Sequence, residues 1–218
     1  GAGGLRAAED CSPRPPVELL GRDVLELGAG CAALPSMVTA GRGARRVVAT
    51  DLLADLVQAM KNNLASNGLL DTSGRVQDGS AGCTDGGVVE ARVLDWLAAG
   101  RAENTPEGQF DVVLFADCIY TERGAFLLAD AVKSMLRRGG VVVGALPDFR
   151  VGVSSFEDDL RACGFEAAIA VLDRDLLDAA TRPHHEYESA EVLTGESVEG
   201  YRILVWHQFV SENAVRPK

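Results

Sequence analysis

The sequence predicts a doubly wound α/β domain, and three observations carry that expectation. An apolar strand, Asp23–Leu27 (DVLEL), runs into a glycine turn at Gly28-Ala29-Gly30, and after a short helical stretch a second apolar strand, from Arg46 to Thr50, ends at Asp51. The segment Phe110–Ala116 (FDVVLFA) is nearly all apolar, as a strand covered on both faces must be. Strand and helix patterns alternate through most of the chain, the signature of a sheet with helices on both faces.

Element by element, residues 1–22 hold Pro13, Pro15 and Pro16 without a clear period and read as a leading segment, and the chain opens on Gly1 rather than Met, as a fragment would. After the first strand, Leu34–Ala40 forms a short helix with Gly41 and Gly43 at its exit. Leu53, Leu56, Val57, Met60 and Leu64 recur at three-to-four spacing, so an amphipathic helix follows the second strand and ends near Asn67-Gly68. Asp71–Gly87 carries five glycines among Ser, Thr and Asp, and reads as an inserted surface loop. Val88–Leu94 is the third strand, Phe110–Ala116 the fourth, Gly124–Leu136 a helix and Val141–Leu146 the fifth strand. A helix over Ser155–Cys163 closes on Gly164, and Phe165–Leu172 and Tyr201–Val210 supply two more strands with no clear helical pattern between them. Residues 23–210 thus form one domain, and 211–218 a C-terminal tail.

At 218 residues the chain can bury a sizeable core, and its 47 % hydrophobic and 24 % charged composition is that of an ordinary soluble protein. No run approaches the ~20 apolar residues of a membrane span, and no secretory leader opens the chain. The net charge of −11, from 32 acids against 21 bases, argues against a nucleic-acid partner gripped by its phosphates and favours basic partners such as lysine-bearing proteins. The five cysteines are odd in number and form no C-x-x-C pair, so neither a disulfide framework nor a zinc site is indicated, and a reducing cytoplasmic home, or a nuclear one, is expected. Cys31 and Cys118 read as small buried fillers. No metal is expected, because His184 and His185 are adjacent and point apart on an extended chain.

The glycine turn and Asp51 together suit an adenosine-containing cofactor, the acid reaching the ribose hydroxyls; Asp51 can equally cap the helix that follows, and both roles can hold together. Glu26 decides between cofactors. A dinucleotide brings a pyrophosphate to the helix N-terminus, where negative charge is welcome. A glutamate two residues before Gly28 opposes that anion and suits the ammonium and sulfonium of S-adenosyl-L-methionine. The absence of a third glycine, with Ala33 in its place, points the same way only weakly, since dinucleotide folds allow Ala there. A nicotinamide-dependent oxidoreductase is therefore the less favoured reading.

Asp117 stands just past the fourth strand, at the sheet edge where open α/β folds bind ligands, with Tyr120 three residues on. On a helical turn the two side chains share one side, where a carboxylate attracts an incoming ammonium and a phenol hydrogen-bonds it. Spacing alone leaves the alternative open: Asp117 as a helix cap and Tyr120 as a packed aromatic.

Glu26–Gly30, Leu94-Asp95-Trp96 and above all Ala116–Tyr120 (ADCIY) resemble the seven-strand protein lysine methyltransferases with a D-x-x-Y motif, a group that includes the valosin-containing-protein, calmodulin and elongation-factor lysine methyltransferases. Ala33–Ser36 (ALPS) is similar to the elongation-factor branch. The resemblance implies a Rossmann-like seven-stranded sheet of order 3-2-1-4-5-7-6 with the last strand antiparallel. It also implies a cofactor site of Glu26, Gly28, Gly30, Asp51, Leu52, Asp95, Trp96 and Ala116, with Asp95 and Trp96 at the adenine, and a substrate site at Asp117 and Tyr120. Without the resemblance, Trp96 is equally a core residue. One departure stands out: the family's tryptophan upstream of the glycine motif has no counterpart before Trp96.

The expected activity is methyl transfer to the lysine amine of a protein substrate by a monomer. Histidine, N-terminal and small-molecule amines remain open as acceptors, as does an interaction module that binds cofactor without turnover. The acidic run from Asp173 to Glu199 reads as a solvated connection or as an acidic flap that recruits a basic substrate.

Overall fold

The computed structural model describes residues 17–70, 87–99, 109–147, 149–169 and 201–208. The acidic run, most of the glycine-rich insertion, His184 and His185 lie outside them. Seven strands form one sheet: β1 (Asp23–Leu27), β2 (Arg46–Asp51), β3 (Val89–Val93), β4 (Phe110–Ala116), β5 (Leu136–Pro147), β6 (Phe165–Ile169) and β7 (Tyr201–Gln208). Their order is β3-β2-β1-β4-β5-β7-β6. β7 runs antiparallel to both neighbours and the other pairings are parallel, as the resemblance implied. Four helices connect them: α1 (Leu34–Gly41), α2 (Ala54–Ser66), α3 (Glu122–Met135) and α4 (Val153–Ala162). None of the described helices is long and apolar enough to cross a membrane.

Strand alternation sends neighbouring residues to opposite faces, and both faces are covered. Val24, Val47, Ala49, Val112 and Leu114 pack on one side with Val57, Met60 and Leu64, the apolar stripe of α2. Leu25, Leu27, Val48, Val113 and Phe115 pack on the other with α3, α4 and Trp206. That second core centres on an aromatic trio: the Phe115 ring stacks on Trp206 at 5.9 Å, and Phe156 meets both edge-on. Gly144 makes room for it, since a Cβ there would lie 2.4 Å from the Phe115 ring and 2.9 Å from Trp206.

At the strand starts, Asp23 pairs with Arg45 and Arg137, and Asp111 with Arg137, so ion pairs tie β1, β4 and β5 together at the end opposite the glycine turn. β5 begins at Leu136, directly after α3, rather than at Val141 as expected. The Arg-Arg-Gly-Gly run reads as a turn, yet Leu136 pairs with Phe110 across a register shift that lets the strand start early.

Candidate active site at the C-terminal strand edge

Gly28 (φ 68°) and Gly30 (φ 63°) both occupy the left-handed region, which is why glycine stands at each. A Cβ on Gly28 would meet the Cys118 Cβ at 3.0 Å and Trp96 Cζ2 at 3.3 Å, so the turn rests on these two side chains. On Gly30 it would meet nothing within 4 Å, which leaves the outer side of the turn open. Ala33 at φ 50° keeps the left-handed backbone that a third glycine would adopt without strain. Ala29 N donates to Thr50 O at 2.9 Å and Gly30 N to Asp51 Oδ2 at 3.0 Å, binding the turn to the end of β2. Asp51 Oδ1 accepts from Leu53 N at the start of α2, 3.2 Å away, so one carboxylate steadies both turn and helix. Each oxygen keeps a lone pair for a further donor.

Glu26, only 2 % exposed, turns its carboxylate to the first turn of α1. Oε2 accepts from Ser36 N at 2.9 Å and from Ser36 Oγ. Ala33 provides no capping side chain, so the carboxylate arriving from β1 does that work. Burial pushes the Glu26 carboxyl up to about 7, against the lowering effect of the two Ser36 hydrogen bonds. The helix terminus where a pyrophosphate would sit thus already faces a carboxylate.

Leu52, Val93 and Leu97 are more than half exposed at the ends of β2 and β3, an apolar margin beside Asp51. Asp95 Oδ1 accepts from Leu97 N at 2.9 Å and caps the short 3-10 turn Trp96–Ala98. Trp96 is partly buried against the core and the Gly28 turn. Cys118 packs beneath that turn, and burial raises its thiol to about 12, which keeps it protonated. Cys31, by contrast, is exposed rather than a core filler, because the turn carries it outward. Among the described residues no group of His, Cys, Asp or Glu gathers as a metal would need.

Past β4, whose last residue Ala116 is exposed, the chain does not turn helically between Asp117 and Tyr120. Asp117 takes φ 47°, and its N–H donates to Ala145 O at 2.9 Å, prolonging the β4–β5 ladder. The helix waits for Thr121, whose Oγ1 accepts from Gly124 N at 3.0 Å; Thr121, not Asp117, caps α3. Asp117 and Tyr120 are joined by a third residue that sequence reasoning missed. Arg150, in the loop after β5, donates from Nη2 to Asp117 Oδ2 at 3.2 Å and lies 3.1 Å from Oδ1. Its guanidinium carbon stands 4.6 Å over the centre of the Tyr120 ring. Tyr120, Phe149 and Val151 around it are each about two-thirds exposed or more. The signal that could have found Arg150 is its place at the C-terminal end of a central strand, the same edge that drew attention to Asp51 and Asp117.

Of the expected cofactor residues, Gly28, Gly30, Asp51 and Trp96 thus meet at one turn, Glu26 faces the start of α1, and Asp95 is engaged locally, while Asp117 and Tyr120 meet through Arg150. The chain is similar to the protein N-terminal and lysine N-methyltransferase efm7 of Emericella nidulans, with 34 % identity over 137 residues covering 62 % of this chain and 51 % of that protein. It is likewise similar to the efm7 protein of Neurospora crassa, with 33 % identity covering 56 % of this chain and 43 % of the other. The chain thus spans about half the length of these curated relatives. Its fold resembles an S-adenosylmethionine dependent methyltransferase from Mesorhizobium loti, with a TM-score of 0.54 at 16 % identity covering 88 % of this chain and 94 % of that one. The family described as lysine methyltransferase matches residues 7–157, the stretch that carries β1 to β5 with the glycine turn, Asp51, Asp117, Tyr120 and Arg150, and this chain belongs to that family.

Proposed function

We propose that this protein is an S-adenosylmethionine-dependent N-methyltransferase acting on a lysine amine of a protein substrate. The observation that carries the reading is Glu26, a buried carboxylate seated on the N-terminus of α1 beside an open glycine turn. That arrangement repels a diphosphate and suits a cationic ligand tail. In this reading Gly30 lets the ligand approach the backbone, Asp51 accepts from the ribose hydroxyls, and Leu52, Asp95 and Trp96 border the adenine. Glu26 and Ala116 border the methionine end. S-adenosylmethionine supplies an electrophilic methyl group on a sulfonium, which passes to a nitrogen lone pair while sulfur keeps the bonding electrons.

The protein's own task is to present that lone pair. A lysine amine has a pKa near ~10.4 and arrives as ammonium. Asp117 attracts it and the exposed Tyr120 ring, covered on one face by Arg150, offers its other face to it, while the exposed Phe149 and Val151 give apolar surface on which flanking substrate residues can rest and exclude water. A chain α-amine is a second acceptor for the same site, and it is favoured by the name of the two fungal relatives, which covers both N-terminal and lysine methylation.

The test is incubation with isotopically labelled S-adenosylmethionine and a cell lysate, followed by mass spectrometry of modified peptides. Label on lysine or N-terminal amines is the expected result. Label on nucleic acid or on hydroxyls, or cofactor binding without transfer, overturns it.

A further inference from the structure

A carboxylate is an ambivalent partner for an amine that must react. It draws the ammonium in, but the same negative charge stabilises the protonated form, which has no lone pair to give. The strand edge concentrates this problem. Asp51 ends β2, Asp117 follows β4, and Glu26 lies near the end of β1 between them, so three carboxyl groups stand along one strand edge. Among the described residues the cation in contact with Asp117 is Arg150, and a guanidinium does not lose its proton at any working pH. Its pairing is through one nitrogen, Nη2, rather than the two-pronged fork, and the Asp117 side chain keeps 39 % of its surface exposed. Asp117 Oδ1 is buried, so an incoming amine that meets the carboxylate does so at Oδ2, beside Arg150. The stacking on Tyr120 fixes the guanidinium on the motif's other member.

Resting on the amine reading above, we propose that Arg150 offsets the charge of Asp117 so that an amine held against Asp117 releases its proton to water and presents a free lone pair. Arg150 is on this view a positioning and charge-balancing residue. It weakens the grip on the ammonium and raises the fraction of the bound amine that can react. A single charge at such a distance, partly screened by solvent, is worth roughly one pKa unit, or a tenfold change in that fraction.

The test uses poly-L-lysine as the amine probe with wild type, Arg150→Gln and Arg150→Lys. Binding is measured calorimetrically at pH 8 on the protein saturated with S-adenosylhomocysteine, and turnover at saturating polymer with labelled S-adenosylmethionine. The expected result is a split: Arg150→Gln binds the polymer up to about tenfold more tightly, yet turns over about tenfold more slowly, with the acid limb of kcat moved roughly one pH unit higher. Arg150→Lys, which keeps the charge, restores the wild-type limb. A merely structural Arg150 predicts weaker binding and slower turnover together with an unmoved limb, and that outcome, or a glutamine variant indistinguishable from wild type, overturns the proposal while leaving the amine reading intact. Failure of the wild type to methylate the polymer at any pH, despite binding S-adenosylhomocysteine, removes the lysine reading and this inference with it.

Discussion

Glu26→Gln isolates one buried charge and tests the feature on which the cofactor reading rests. The side chain is 2 % exposed, and burial lifts its carboxyl from an ordinary 4.5 to about 7. At ~1.36 kcal/mol for each tenfold in proton affinity, that rise is worth roughly 3 kcal/mol. Between pH 4.5 and about 7 the folded chain keeps a proton that the unfolded chain has lost. More protons bound in the folded state means that this group's contribution is complete below pH 4.5 and disappears as pH rises through about 7. Glutamine has the same shape, its amide oxygen can still accept from Ser36 N, and it does not titrate. The stability of Glu26→Gln relative to wild type should therefore improve as pH rises from about 4.5 to 8, by up to roughly 3 kcal/mol. Urea denaturation followed by tryptophan fluorescence at a series of pH values measures the difference directly, and titrations shared by both proteins cancel. A difference that stays flat within about 0.5 kcal/mol, or that runs in the opposite direction, refutes the claim that Glu26 is ionised at a cost. In the same buffers the ammonium and sulfonium of S-adenosylmethionine should favour the ionised carboxylate, so wild type should release a fraction of a proton on binding S-adenosylmethionine near pH 6.5 and the variant should not.

Three further perturbations separate fold from site. Gly144→Ala forces a methyl group to 2.4 Å from the Phe115 ring and should cost about 1–3 kcal/mol in thermal or chemical denaturation, with cofactor affinity little changed if the variant folds. Gly30→Ala meets no protein atom within 4 Å but keeps φ 63°, so it should cost about 1–2 kcal/mol of stability and, by filling the open side of the turn, weaken S-adenosylhomocysteine binding by far more than that loss; equal effects on both would place the ligand elsewhere. Asp51→Asn leaves one acceptor where two now hold Gly30 N and Leu53 N, and should lower S-adenosylhomocysteine affinity at least about tenfold in calorimetry for roughly 1 kcal/mol of stability.

What could be read from the sequence follows from how local the controlling physics is. Val112–Phe115 of β4 are buried without a break, and a strand covered on both faces is written as an apolar run. α2 buries Val57, Met60 and Leu64 because spacings of three and four residues return to one face of a helix, and that period is visible without any partner. The early start of β5 was not visible, because the pairing of Leu136 with Phe110 comes from a neighbouring strand and overrides the turn preference of two glycines. Even the strand order came from a motif resemblance, since parallel pairing leaves no mark on the paired segments themselves.

The site divides along the same line. The glycines and Asp51 were legible because a left-handed turn and a strand-end acid constrain residue type at those very positions. Thr121 as the cap of α3 was legible in principle, yet the nearby Asp117 competes for that role in one dimension and only its φ of 47° removes it. Ser36 is one serine in a helix and satisfies no pattern of its own, and the one mark of Arg150 is its place past the end of β5, with no spacing that ties it to Asp117. Each matters for the carboxylate it touches, Ser36 at Glu26 and Arg150 at Asp117, and both contacts cross from one strand edge to a different element. The acids proposed to attract a cationic cofactor and an amine are thus readable from the chain alone. The partners that set how strongly each acid holds its charge are supplied by the fold, and it is there that attraction is balanced against the need for a neutral nucleophile.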